Sequence, residues 1–341
     1  MIMPDSTSTL ANARKTPPWR LIVIAAGATL IAAAILGLLS RQWGTPVLNA
    51  GYITLMFLAP AVRTLSTREL SLAAGWALLI CFVSVLVGTH GPWVLLVVIV
   101  STALVQGLFA VNGKAGLNRS PASAVGFAAF ADTGEWDEVC QPMVGVAVGA
   151  AVVLVIAVAV SRTASRDSRR VDTTPAPLAE RLYYGIGLAV GCAVLTVVFT
   201  LADWGGLSYA LLVFCLIYAF DSGTVLYNSL LRVVGAGLGV GSSVLLSAVL
   251  PHTALIVVFA MSAIMALACL LDDHEFWFVV FLVATVVHMA EITGKGAAHA
   301  GLEHILDVVL AAAVAVLLHQ IATPLHNRLL GRPRGTGRLL T

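Results

Sequence analysis

The feature that most constrains this chain is the recurrence of apolar stretches long enough to cross, or nearly cross, a bilayer. They fall at about 20–40, 46–62, 69–88, 92–111, 120–131, 142–161, 181–201, 205–220, 225–250, 252–271, 275–290 and 301–322. A hydrocarbon core of about 30 Å takes roughly 20 helical residues at about 1.5 Å each. No water is available there, so every backbone N–H and C=O must find its partner inside the protein, and these segments are read as helices. Only 11% of the residues are charged, against about a quarter in soluble domains. The fold class is therefore an all-α polytopic membrane protein with about 12 transmembrane helices. The stretch at 120–131 is the shortest of the set.

Basic residues orient the spans. With a cytoplasmic N-terminus, all of the 19 Lys and Arg except Arg41 and Lys295 lie inside or at an inner helix end, as the positive-inside rule asks. The opposite orientation inverts that ratio. The acidic loop 132–138 then falls outside and the arginine-rich linker "SRTASRDSRRVDTTPAP" inside. The first apolar run is of spanning length, longer than the core of a cleaved signal, and is expected to be retained. The expected location is a bacterial inner membrane, with both termini cytoplasmic.

The linker splits the chain into two six-helix halves. Arg20-Leu21 and Trp43-Gly44 match Arg181-Leu182 and Trp204-Gly205 at one constant offset, and Glu138 matches Glu303 at a slightly larger one. Six is an even number of crossings, so both halves enter from the same side and the repeats are parallel. The expected order is a cytoplasmic tail (1–19), repeat 1 (20–161), the linker (162–179), repeat 2 (180–323) and a basic cytoplasmic tail (324–341). Chance similarity between Ala/Val/Leu-rich helices is the alternative.

A net charge of +2 offers no basic patch for nucleic acid. The five cysteines form no CxxC pair, and four of them lie in apolar runs where a thiol acts as a small hydrophobe. No disulfide framework, zinc site or cofactor is implied.

The stretch "LYNSLLRVVGAGLGVGSS" (226–243) places Arg232 before Gly235, Gly237, Gly239 and Gly241, which form two overlapping GxxxG spacings. Such glycines let another helix approach closely, and packing alone accounts for them. Arg232 sits about 10 Å along a helix that starts near 225. A charge at that depth faces a cavity or partner, or snorkels to the interface; both readings stay open. Asp221 or Ser222 is a candidate cap for this helix, and Pro251 marks its end. In the first half, "RELSLAAG" (68–75) has the same arginine, small residue and glycine spacing as "RVVGAGLG" (232–239).

The segments "DWGGLSYALLVFCLIY" (203–218), "RVVGAGLGVGSSVLLSAVLP" and "EFWFVVFLVATVVHMAE" together resemble the fusaric acid resistance protein-like (FUSC) family, also described as aromatic acid exporters. The resemblance is clearest over about 181–322 and rests on an element of the form R-x-x-G-T-x-x-G. Arg232, Gly235 and Gly239 match it, and Ala236 stands where threonine is usual. It implies a small-organic-anion exporter, with Arg232, Gly235 and Gly239 in the substrate element.

Four further groups are candidates for proton coupling. His288 and Glu291 are three apart, and Glu303 and Asp307 are four apart, so each pair shares a helical face. Two carboxylates on one face repel when both are ionised, and a nearby histidine can pass protons at physiological pH. Placement of Glu291 and Glu303 among headgroups is the bland alternative; Asp307 lies a full turn deeper. His304 points away from Glu303 and is read as exposed, and His319 as interfacial.

Asp272, Asp273 and Glu275 resemble half of a magnesium–diphosphate site, yet no second aspartate-rich motif accompanies them, and a solvated loop is the better reading. No P-loop, GxSxG or HExxH motif occurs, so no enzymatic activity is expected. The expectation is a proton-coupled secondary transporter exporting aromatic carboxylate-like anions. Its partners are the lipid bilayer and the anion; a homo-oligomer and a periplasmic adaptor stay open. The competing reading is a membrane scaffold or regulatory subunit whose buried charges form static pairs.

Overall fold

The structure, a computed structural model, describes residues 18–63, 65–108, 110–111, 114–115, 119–131, 136–163, 177–218, 224–271 and 274–329. Expectations for the N-terminal tail, most of the arginine-rich linker, Asp221, Ser222, Asp272, Asp273 and the end of the C-terminal tail lie outside these residues; the Glu138 side chain does too.

Twelve α-helices run through the described residues. They are α1 (Pro18–Trp43), α2 (Thr45–Leu58), α3 (Thr67–Gly88), α4 (Pro92–Leu108), α5 (Ser120–Ala128), α6 (Trp136–Thr163), α7 (Leu178–Leu201), α8 (Leu207–Ile217), α9 (Val225–Val249), α10 (His252–Leu271), α11 (Glu275–Ile292) and α12 (Ala297–Leu329). A 3-10 turn, Ala59–Arg63, extends α2, and a two-stranded hairpin pairs Ala110 with Ala115 and Val111 with Lys114 between α4 and α5. Eight helices are long and apolar enough to cross a membrane. The chain is a multi-pass membrane protein.

Local chemistry sets many of the boundaries. At α3, the Ser66 hydroxyl accepts from the Glu69 N–H at 3.3 Å and the Ser66 N–H donates to the Glu69 carboxylate at 2.7 Å, a reciprocal cap. Gly44 and Gly91 turn the chain at φ +88° before α2 and α4, a region that costs glycine little. Several expected boundaries shift, two of them at prolines. α6 starts six residues before Pro142 and carries that proline inside it, and α12 runs past Pro324.

Helix partners recur six helices on. α2 packs on α6 as α8 packs on α12; α3 lies against α5 and α6 as α9 lies against α11 and α12; α4 meets α5 as α10 meets α11. Across the halves, α4 packs on α7 and α10 on α1. The outer faces carry exposed apolar side chains such as Leu30, Leu72, Val97 and Leu245, which is how a helix meets lipid.

Four helices fall short of spanning length, and α5 and α8 are the shortest of them. α5 has 9 residues and α8 has 11, about 14 and 17 Å of rise. A helix that ends inside a membrane leaves unpaired backbone groups, tolerated only under protein cover or beside a cavity. Both conditions hold here. Ser120–Ala124 of α5 are buried, as are Ala210, Leu211, Val213 and Phe214 of α8. The two helices touch, with the Ser208 hydroxyl donating to the Ala122 carbonyl at 3.1 Å.

Candidate functional site

A cavity of about 280 Å³ lies between the short helices and their neighbours α2 and α11, lined by Tyr52, Arg119, Ser123, Gly206, Tyr209 and Val286 among others. A smaller pocket shares Tyr209, Leu212 and Leu282 with it and reaches Arg232. A void of about 150 Å³ takes a benzene ring, so the larger cavity has room for one substituted aromatic ring.

Arg119 stands just before α5 and is only 2% exposed. Its guanidinium donates to the Met56 carbonyl. That carbonyl is free because the residue four further on is Pro60, which has no N–H to continue the ladder. Arg232, on the second turn of α9, is 5% exposed. Both guanidiniums flank one ring: Arg119 lies 5.6 Å and Arg232 6.0 Å from the Phe278 centroid. Nε of each has no hydrogen-bond partner, and among the described residues neither arginine makes an ion pair.

The energies do not balance within the protein alone. Burying a charge costs on the order of several kcal/mol per ion even after relaxation. A cation–π contact returns about 0.5 to 2 kcal/mol, and one carbonyl cannot neutralise a guanidinium. The pair forms a buried positive region, Arg119 at the cavity and Arg232 at the pocket that adjoins it.

Asp307 lies at the start of α8. Its side chain is 3% exposed, Oδ1 has no partner, and its carboxylate rests against Gly206, the residue before α8. Gly206 provides no side-chain cap, and the positive end of a helix favours a carboxylate there. One turn earlier on α12, His304 is buried and its ring stacks on Tyr209 at 3.4 Å between centroids. Tyr209 thus touches His304 on one side and the cavity on the other.

The other sequence candidates separate. Glu303 is exposed and pairs with His299 at 3.2 Å, away from Asp307's buried face. His304, expected to be exposed, is the residue that shares that face. Spacings of three and four are both compatible with one face, and the partners α8 and α9 decide which one is covered. The Glu291 carboxylate accepts the Ala297 N–H at the start of α12. His288 is 1% exposed with neither ring nitrogen bonded, and it does not line the cavity.

Gly235 and Gly239 are the glycines that carry close packing. A β-carbon at Gly239 would come within 2.7 Å of the Val280 carbonyl of α11, and one at Gly235 within 3.0 Å of Val279. Gly237 and Gly241 face open space. Only one of the two overlapping GxxxG spacings is used inside the protein. Among the described residues no group of three or more His, Cys, Asp or Glu is placed to hold a metal ion.

Sequence reading missed Arg119, Tyr209 and Phe278. Arg119 looked like one more inner-side cation; the signal that it differs is the short segment that follows it.

Fold and site together define a multi-pass helical membrane protein with a buried cationic cavity. The family model described as fusaric acid resistance protein-like matches residues 192–318. The match runs from within α7 into α12, so it includes Arg232, Gly235, Gly239, Phe278 and Asp307 and leaves out Tyr52 and Arg119. Comparisons with curated proteins and with solved structures return no match.

Proposed function

We propose that the protein is a secondary transporter of the bacterial inner membrane that exports small organic anions, aromatic carboxylates among them, in exchange for protons. One observation carries this reading: a buried guanidinium, Arg119, lines a ring-sized cavity and a second, Arg232, lines the smaller pocket that adjoins it, and among the described residues neither makes an ion pair. The matched family's description, fusaric acid resistance protein-like, supports an acid as cargo.

In this scheme Arg232 and Arg119 draw the anion in and replace its lost hydration. Asp307 takes and releases the coupled proton, with His304 and Tyr209 as neighbouring polar groups between it and the cavity. Gly235 and Gly239 hold α9 against α11 so that Arg232 stays beside Phe278. The recurrence of helix partners supports a duplicated six-helix unit whose halves rock about the cavity.

Proteoliposomes test it. Benzoate uptake or efflux driven by an imposed pH gradient is expected for the wild-type protein and is expected to be lost in Arg232→Ala, with insertion of that variant intact. Full flux in Arg232→Ala removes the arginine from the pathway. Absence of gradient-driven flux in the wild type, with any of several aromatic acids, leaves the scaffold reading.

A further inference from the structure

We infer that the cavity is built for a dianion, an aromatic ring bearing two acidic groups, and that Arg119 is the residue that sets this preference. The inference rests on the anion-transport reading above and narrows it.

The argument is a charge census. Arg119 and Arg232 bring two permanent positive charges to within 5.6 and 6.0 Å of the centroid of one phenyl ring, Phe278. Guanidiniums stay protonated in proteins, so neither charge is removed by losing a proton. Around them the wall is neutral: Tyr52, Ser123, Ser208 and Tyr209 supply hydroxyls, and the rest is apolar. Asp307 is the one buried carboxylate among the described residues. It lies behind Gly206, beyond hydrogen-bonding or ion-pair reach of either arginine. Glu275, exposed at the start of α11, is the acidic group whose charge acts on Arg232, at a distance longer than an ion pair.

A monoanion held by Arg119 in the cavity leaves Arg232, in the adjoining pocket, without a buried counter-charge, whereas a second acidic group that reaches that pocket gives each guanidinium its own. Charge-assisted and bidentate pairing then acts twice. The arginines also differ in freedom. Arg119 already donates to the Met56 carbonyl, which fixes its position, while Arg232 makes no hydrogen bond among the described residues. The preformed charge is therefore Arg119, contributed from outside the segment that matches the family model.

Titration calorimetry of the purified full-length protein at neutral pH, with benzoate and isophthalate as probes, tests the inference. The two share a ring and differ by one carboxylate. Isophthalate is expected to bind about tenfold more tightly or better. In Arg119→Gln the ratio is expected to fall to near one, and Arg119→Lys is expected to restore part of it. Equal affinities in the wild type, or tighter benzoate binding, overturn the dianion inference and leave the anion-transport reading standing. If neither probe binds, both fall. The wild-type ratio needs no variant, so a poorly folding Arg119→Gln protein does not block the decision. An unchanged ratio in a folded Arg119→Gln protein removes Arg119 from the assignment.

Discussion

The carboxylate of Asp307 lies against the bare Cα of Gly206: a β-carbon there would come within 2.5 Å of the Asp307 carboxyl carbon. The backbone of Gly206 is ordinary, at φ −83°, so the demand at this position is for space and not for a special conformation. The absent side chain lets α12 bring an acidic group to the start of a half-length helix.

Gly206→Ala is therefore expected to push Asp307 out of place. An added methyl in a packed interior costs about 1 to 3 kcal/mol, too little to unfold most proteins. The expected result is an inserted, folded protein whose proton-coupled flux falls toward that of Asp307→Asn. Flux in proteoliposomes, measured beside thermal unfolding in detergent, checks it. Wild-type flux in Gly206→Ala shows that the position of the Asp307 carboxylate does not matter for coupling.

The four glycines of α9 divide by face. At Gly239 a β-carbon meets the Val280 carbonyl, a backbone atom that cannot swing aside; at Gly237 it meets nothing. Gly239→Ala is expected to lower stability by about 1 to 3 kcal/mol. Gly237→Ala is expected to be neutral or to stabilise by up to about 1 kcal/mol through helix propensity. Thermal unfolding of the two purified variants separates them. Equal losses at both positions point to a contact on the outer face as well, as in an oligomer.

Much of this fold was legible because membranes make backbone pairing local. Every one of the twelve expected spans contains a helix, and α3, α9 and α10 agree to within two residues at each end. The errors have physical causes. Pro142 was taken as a start, although α6 begins nearly two turns earlier and carries the proline at the loss of one ladder bond. Asp307 was singled out by its depth and by its spacing from Glu303. Glu303, paired with it on spacing, is exposed and bonds to His299, because helical spacing fixes the face a residue shares and says nothing about which face a neighbour covers. Arg119 was invisible for a different reason. Its role depends on α2, whose Met56 carbonyl is left over by Pro60, and on Phe278, far along the chain; no local pattern joins the three.

Glu291 separates a structural carboxylate from a coupling one. The sequence places it near His288 as a candidate for proton transfer. Its carboxylate accepts the Ala297 N–H, one of the four N–H groups that a helix start leaves unpaired. The short loop between α11 and α12 reinforces that role, since Gly294 and Gly296 both adopt positive φ, at +82° and +81°, to turn the chain back beneath the carboxylate. Removing a cap of this kind costs about 0.5 to 2 kcal/mol. Glu291→Ala is thus expected to lower the unfolding temperature and to leave the dependence of flux on the imposed pH gradient unaltered. Glu291→Gln keeps an acceptor oxygen and is expected to recover most of the stability. A coupling role makes the opposite forecast: Glu291→Gln would abolish gradient-driven flux while barely moving the unfolding temperature. Measuring both quantities on the same two variants decides between them, because the amide preserves the hydrogen bond and discards the titratable proton.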